Sequence, residues 1–289
     1  MENLYLTSTD LNLIKKYEIG KGTNGSVYRV PYYLFNTPKG TLLKIYHTNI
    51  TFIDNDDIKI YHIGDIKKSL YIEKLLYFDN DNVHISFNDA IYKVINRQSK
   101  IKLTDLPKKV IYINNYFSGY VLKEQYGIQI HYLTGLPLVL KYKIMKNIIL
   151  KIEELINNYI YPIDIDNSPF GKCAYQDIYG NLKHVGHSNI LINPFNFNPS
   201  IIDLDGNSTV YTDNYNEYYY KQTILKLNIL LLEFLFGINL DGFYNDDNDL
   251  SNCIIESLNK YSINNYFIDG LSDLSLSIND IKLMLKKKE

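Results

Sequence analysis

Tryptophan is absent from the 289 residues, and cysteine occurs only twice, as Cys173 and Cys253. The two lie far apart and form no C-x-x-C, so the chain reads as one made for a reducing compartment, the cytoplasm. An excess of one charge is also missing. A formal net charge of −2 leaves no electrostatic footprint for nucleic acid. The first residues, Met-Glu-Asn-Leu-Tyr-Leu-Thr, lack the basic start and apolar run of a signal peptide. The most apolar stretch, Ile224 to Ile238, is interrupted by Lys226, Asn228 and Glu233. It is too short and too polar to span a bilayer and predicts a buried helix. These absences exclude nucleic acid and membrane as expected partners.

What is abundant is tyrosine, 28 residues of it, together with isoleucine, asparagine and lysine. An AT-rich genome writes such a composition, so the Asn-rich segments are no sign of disorder. Hydrophobic content of 46% suffices for a sizeable core, and the length suits one large domain or two modest ones sharing a cleft.

The most informative stretch is 17–46. Gly20, Gly22, Gly25 and Val27 make a G-x-G-x-x-G-x-V pattern, and Lys44 follows 17 residues after the valine, in an alternating apolar segment. Glycine at these places lets a backbone hairpin lie against phosphate oxygens, and an amine from a following strand can reach the same oxygens. A Rossmann turn would continue into a helix, but Ser-Val-Tyr-Arg-Val-Pro after Gly25 is β-branched and holds a proline. A Walker A loop would place Lys-Ser/Thr directly after the last glycine, and here Ser-Val stands there. Strand, glycine hairpin, strand remains. In that arrangement the chain resembles the protein-kinase-like superfamily.

Taken in order, 11–16 read as a lead-in, with strands at about 17–22 and 26–34 and a third ending near Tyr46. Residues 47–60 read as an Asp- and Asn-rich loop or insertion. From Asp65 to Phe78 the pattern turns helical, with Ile66, Leu70, Glu73 and Tyr77 on one face. Residues 83–87, 90–95 and 109–113 read as strands. Gly119–Gly127 reads as a short apolar strand running into a polar segment that includes Glu124. A long helix is expected from Leu138 to Asn157, a hairpin over 171–187 around Tyr-Gly-Asn, and a strongly apolar helix over Tyr218–Gly237, followed by two or three helices.

Two further pieces carry chemistry. Asn189 in Asn-Ile-Leu-Ile and Asp203 in Ile-Ile-Asp-Leu-Asp-Gly lie 14 residues apart, separated by a turn-rich stretch. Two strands joined by a turn would bring both oxygens to one point, and hard cations such as Mg²⁺ prefer oxygen ligands. The family's catalytic-loop Asn and D-F-G Asp match these two positions. The match departs in reading Asp203-Leu-Asp-Gly206, a form found in small atypical bacterial members, and in lacking A-P-E.

The family's catalytic Asp would fall five residues before Asn189, where His184 stands. Another reading puts the base just after the long helix, at Asp164, with 166–187 as an insertion splitting the catalytic loop. Asp164 is preferred for its chemistry and its place after the helix; Asp166 is a rival, and His184 and His187 take a structural reading first.

The resemblance implies a two-lobed α+β kinase-like fold, with a five-stranded antiparallel N-lobe carrying one helix over 1–124 and a mainly helical C-lobe over 125–289. It implies a phosphotransferase that uses ATP and Mg²⁺. Gly20, Gly22, Gly25 and Val27 would cover the nucleotide, Lys44 would contact its phosphates with Glu73 bracing it, and the segment at Glu124 would line the adenine. Asn189 and Asp203 would hold Mg²⁺, and Asp164 would orient the acceptor. The expected acceptor is a Ser/Thr hydroxyl on a protein. The alternatives are a small-molecule acceptor or a nucleotide-binding pseudokinase acting as a regulatory or interaction module, the latter suggested by the missing His-Arg-Asp and Ala-Pro-Glu.

Overall fold

The computed structural model describes residues 3–21, 25–46, 49–54, 57–62, 76–79, 87–98, 106–165, 168–176, 182–204, 209–238, 240 and 247–286. The chain falls into two compact units, 1–125 with 203–207, and 126–202 with 208–289.

The first unit contains β1 (Leu4–Leu6), α1 (Ser8–Ile14), β2 (Glu18–Lys21), β3 (Gly25–Arg29), β4 (Thr41–Tyr46), β5 (Asn49–Asp54), β6 (Asp57–His62), β7 (Leu76–Phe78), α2 (Phe87–Gln98), β8 (Lys109–Ile113) and β9 (Tyr116–Lys123). Six of the strands form one sheet in the order β1-β8-β9-β4-β3-β2. Its pairings are antiparallel except that β1 lies parallel to β8. Alternation along β4 sends Leu43 and Ile45 to one face, where they join Leu6, Ile14, Tyr28, Val30, Ile111 and Val121 in a buried cluster. Helix α1 reaches that cluster through Ile14. Its start is set by a capping box: Asp10 N–H donates to Thr7 Oγ1 (3.2 Å) and Thr7 N–H to Asp10 Oδ2 (2.7 Å). Such a cap contributes about 1 kcal/mol.

The second unit contains β10 (Ile128–Gln129), α3 (Leu138–Asn157), β11 (Ile160–Pro162), β12 (Ser168–Gln176), β13 (Leu182–His187), β14 (Ile190–Ile192), β15 (Pro199–Ile201), β16 (Thr209–Thr212), α4 (Glu217–Phe236), α5 (Asp247–Leu258), α6 (Asn265–Ser272) and α7 (Ile278–Lys286). Its core is helical. Ile144, Ile148, Ile152 and Leu155 of α3 are wholly buried, each stabilising by roughly 2 kcal/mol before entropy is counted. In α4, Asn216 Oδ1 accepts from Tyr219 N–H (3.2 Å) at the start, and Gly237 at φ 69° closes the end. Buried Asn228 donates from Nδ2 to Ile224 O (2.9 Å) and Leu276 O (3.0 Å), so the polar residue inside the apolar run fastens α4 to the loop before α7. Among the described residues no helix is long and apolar enough to cross a membrane.

The α+β division is the one expected: an antiparallel-rich N-terminal sheet, then a mainly helical part. Helices α3 and α4 fall where periodicity placed them, and among the described residues three helices follow. Several details differ. The sheet has six strands, because Leu4–Leu6 adds a parallel edge. Two helices, α1 and α2, are described in the first unit; of the expected 65–78 helix, 65–75 lies outside the described residues and Leu76–Phe78 is a strand. Residues 90–95 are helical, with Ala90, Val94 and Ile95 buried at helical spacing. In place of the loop expected over 47–60, the described residues 49–54 and 57–62 are paired strands, β5 with β6, from Asn49↔His62 to Asp54↔Asp57.

Candidate active site

In the first unit the register builds a row across the sheet. Gly20 pairs with Val27, Val27 with Lys44, and Lys44 with Tyr120. Residues directly opposite one another share a face, so Gly20, Val27 and Lys44 stand on one side of the sheet, away from the Leu43–Ile45 cluster. Gly22 lies outside the described residues.

The two described glycines of the motif differ in what they need. A Cβ on Gly20 would meet nothing within 4 Å, so the fold itself leaves that position open. A Cβ on Gly25 would lie 2.5 Å from Ile45 O, so glycine there is required by the approach of β4. Gly119 in β9 is tighter still, its Cβ falling 1.9 Å from Lys44 O. The close packing of β9 on β4 therefore sets the backbone that carries Lys44.

The Lys44 ammonium, on a side chain only 16% exposed, donates to Asp203 Oδ1. The two residues are 159 positions apart. Asp203 sits at φ 61°, a left-handed conformation that Asp tolerates better than most residues. The Lys44 Nζ is also 6.0 Å from the centre of the Tyr46 ring. Tyr46, Phe117 and Tyr120 pack together with centroids 5.4 to 6.0 Å apart. Sequence reasoning passed over this aromatic group; the signal available was Tyr46 at i+2 from Lys44, on the same face of β4. At the end of β9, Glu124 N–H donates to Gly40 O (2.8 Å), and Glu124 Oε1 meets Arg29 Nη2 at 2.5 Å. Glu73 lies outside the described residues.

The second unit holds the other pair. Asp164 is exposed just beyond β11, and Asn189 is 3% exposed at the start of β14. Asn189 Nδ2 donates to the Asp164 backbone carbonyl (3.0 Å) and to its Oδ2 (3.2 Å). Both acceptors take the nitrogen end, so the amide is oriented with Oδ1 turned away from Asp164. Asn189 is itself fixed: Ile202 N–H donates to its carbonyl (2.8 Å), continuing the β14–β15 ladder, and Ser188 beside it is wholly buried. Asp166 lies outside the described residues. His184 and His187 lie in β13, their side chains outside the described residues. Among the described residues no group of three or more His, Cys, Asp or Glu could hold a metal.

No family model matches the sequence. No curated protein matches it. Among solved structures, an apo pseudokinase is similar at 12% identity, over 99% of this chain and 96% of that one, with a TM-score of 0.49. The functional reading therefore rests on the residues just described. Lys44 and Asp203 meet in one unit, and Asp164 and Asn189 meet in the other; Gly20 and Val27 share the Lys44 face.

Proposed function

We propose that the protein is an ATP- and Mg²⁺-dependent phosphotransferase of the kinase-like kind that acts on Ser/Thr hydroxyls of a protein. The observation that carries this reading is the Lys44–Asp203 pair. The sequence singles out the two residues for separate reasons, the amine for phosphate and the carboxylate for metal, and their side chains make direct contact. An amine and a metal-binding carboxylate held together suit a triphosphate whose oxygens are shared between an ammonium and Mg²⁺.

Within this reading the open backbone at Gly20 admits phosphate oxygens. Asn189 and Asp203 would be the residues to offer oxygen ligands to Mg²⁺. When bound, Mg²⁺ neutralises charge developing on the transferred phosphoryl group. Asp164, exposed and fastened by Asn189, orients the acceptor hydroxyl and takes its proton. The pairing of Asn189 with Asp164 favours Asp164 over Asp166 and His184 for that role, because it ties the carboxylate directly to a cation-ligand candidate.

Titration of wild type and Asp203→Asn with ATP, with and without Mg²⁺, tests the site. Wild type should bind ATP more tightly with Mg²⁺, and the variant should lose that gain. Equal binding by both proteins would overturn the assignment of Asp203.

A further inference from the structure

The 166–187 insertion opens and closes at the candidate catalytic residues. It departs just after Asp164 and returns through Ser188 to Asn189, and the Asn189–Asp164 hydrogen bonds join its two ends. Its described backbone is a two-stranded antiparallel ribbon, β12 with β13, and among the described residues neither strand has a second neighbour. A lone two-stranded ribbon is marginally stable in water, and the outer edge of each strand offers unpaired N–H and C=O groups at alternate residues.

The two edges are not equivalent. The register of β12 shifts between Ser168 and Cys173, so residues 169–172 stand opposite Gly186 alone. That bulge contains Pro169, which has no N–H. Strand β13 runs for six residues, Leu182–His187, without a proline and leads straight into Ser188 and Asn189. Its edge is about 20 Å long, and its C-terminal end lies at the residue that holds Asp164. Lys183 in this strand is the kind of residue that deters indiscriminate strand pairing.

We propose that the outer edge of β13 takes up an extended segment of a polypeptide acceptor as an added β-strand, delivering a Ser or Thr hydroxyl to Asp164. This rests on the phosphotransferase reading and names its acceptor: a peptide recognised through its backbone, not a small hydroxylic molecule. Main-chain hydrogen bonds would supply affinity with little dependence on sequence. The transfer itself is balanced. The hydroxyl oxygen forms a bond to the γ-phosphorus, the bond from that phosphorus to the β–γ bridging oxygen breaks, ADP leaves, and the hydroxyl proton passes to Asp164.

The test uses the full chain, labelled Mg-ATP and two acceptors: a degenerate octapeptide pool with a fixed central serine, and N-acetylserine amide. The best single octapeptide is then N-methylated at one backbone nitrogen at a time. The octapeptide should be labelled and the single residue should not. Methylation should lower kcat/KM at every second position, by roughly three- to tenfold for each lost hydrogen bond. This scan leaves the protein untouched, so a folding defect cannot imitate it. Replacing 169–186 by a short Gly-Ser link should raise KM for the octapeptide while ATP affinity stays the same. Equal use of both acceptors, or methylation effects without a two-residue period, overturns the strand-addition proposal and leaves the phosphotransferase standing. No label on either acceptor overturns both.

Discussion

Asn189 donates its side-chain Nδ2 to both the backbone carbonyl and the carboxylate of Asp164, across an insertion of more than twenty residues. One amide thereby orients the exposed acid and turns its own Oδ1 away from it. Asn189→Ala removes both functions at once. Asp164 loses its tether, and two part-buried hydrogen bonds go with it, each contributing about 0.5–1.5 kcal/mol. Transfer should fall by about 100-fold or more, the usual scale for a misplaced general base. The Mg²⁺-dependent gain in ATP affinity should disappear as well. Measuring kcat and ATP binding on the same preparation checks both.

Gly119 is the residue whose replacement most directly moves Lys44. A methyl group there would fall 1.9 Å from Lys44 O, on backbone that has nowhere to yield without separating β9 from β4. Gly119→Ala should destabilise by about 1–3 kcal/mol and weaken ATP binding, although Gly119 itself makes no side-chain contact. Gly20→Ala is the control: its added Cβ meets open space in the protein. It should leave the melting temperature unchanged and weaken ATP binding alone. Denaturation and ATP titration of the two variants separate strand packing from ligand approach.

Asn228 predicts a purely structural effect. Its Nδ2 satisfies two buried carbonyls, Ile224 O and Leu276 O. Asn228→Leu leaves Leu276 O unpaired and should cost on the order of 2 kcal/mol. The loss should appear in urea denaturation as a lower midpoint with an unchanged slope.

The start of α7 predicts a pH dependence. Asp280 accepts from the Ser277 hydroxyl (2.5 Å), Ser277 N–H (3.2 Å) and the Tyr266 hydroxyl (2.9 Å). Hydrogen bonding from Ser277, then from Tyr266, holds its carboxyl below the ordinary aspartate value. A depressed carboxyl contributes stability that is complete above the unfolded-state pKa and is lost as pH falls through the folded value. Asp280→Asn should therefore lower the melting temperature at neutral pH and flatten its decline in acid. Melting curves of both proteins across the carboxylate range check the sign.

Much of the fold was legible because long helices repeat their signal. In α3, Ile144, Ile148, Ile152 and Leu155 form a periodic stripe, and all four are buried. Gly237 marks the end of α4 by the same chemistry in sequence and structure. Short elements were harder. Leu4–Leu6 has too few residues to show alternation, and its partner Ile111 lies more than 100 positions away. Residues 90–95 are rich in β-branched and aromatic side chains, which favour a strand locally, but burying Ala90, Val94 and Ile95 together settles the segment as a helix. Residues 47–60 are rich in Asn and Asp and hold no glycine, so the stretch reads as loop although β5 pairs with β6 within it.

For the site, spacing selected Lys44, Asp203, Asn189 and Asp164 separately. Which of them touch depends on long-range packing that no local pattern records. Gly25 illustrates the limit from the other side: a glycine selected for phosphate is required by Ile45 of the neighbouring strand.

The most direct test of the central claim is transfer of labelled γ-phosphate from Mg-ATP to the serine-centred octapeptide pool, comparing wild type with Asp164→Asn and Asp203→Asn. Label appearing with wild type and lost in both variants is the predicted result. Absence of label with wild type, while Mg-ATP still raises its melting temperature, would contradict phosphotransfer and leave a nucleotide-binding pseudokinase.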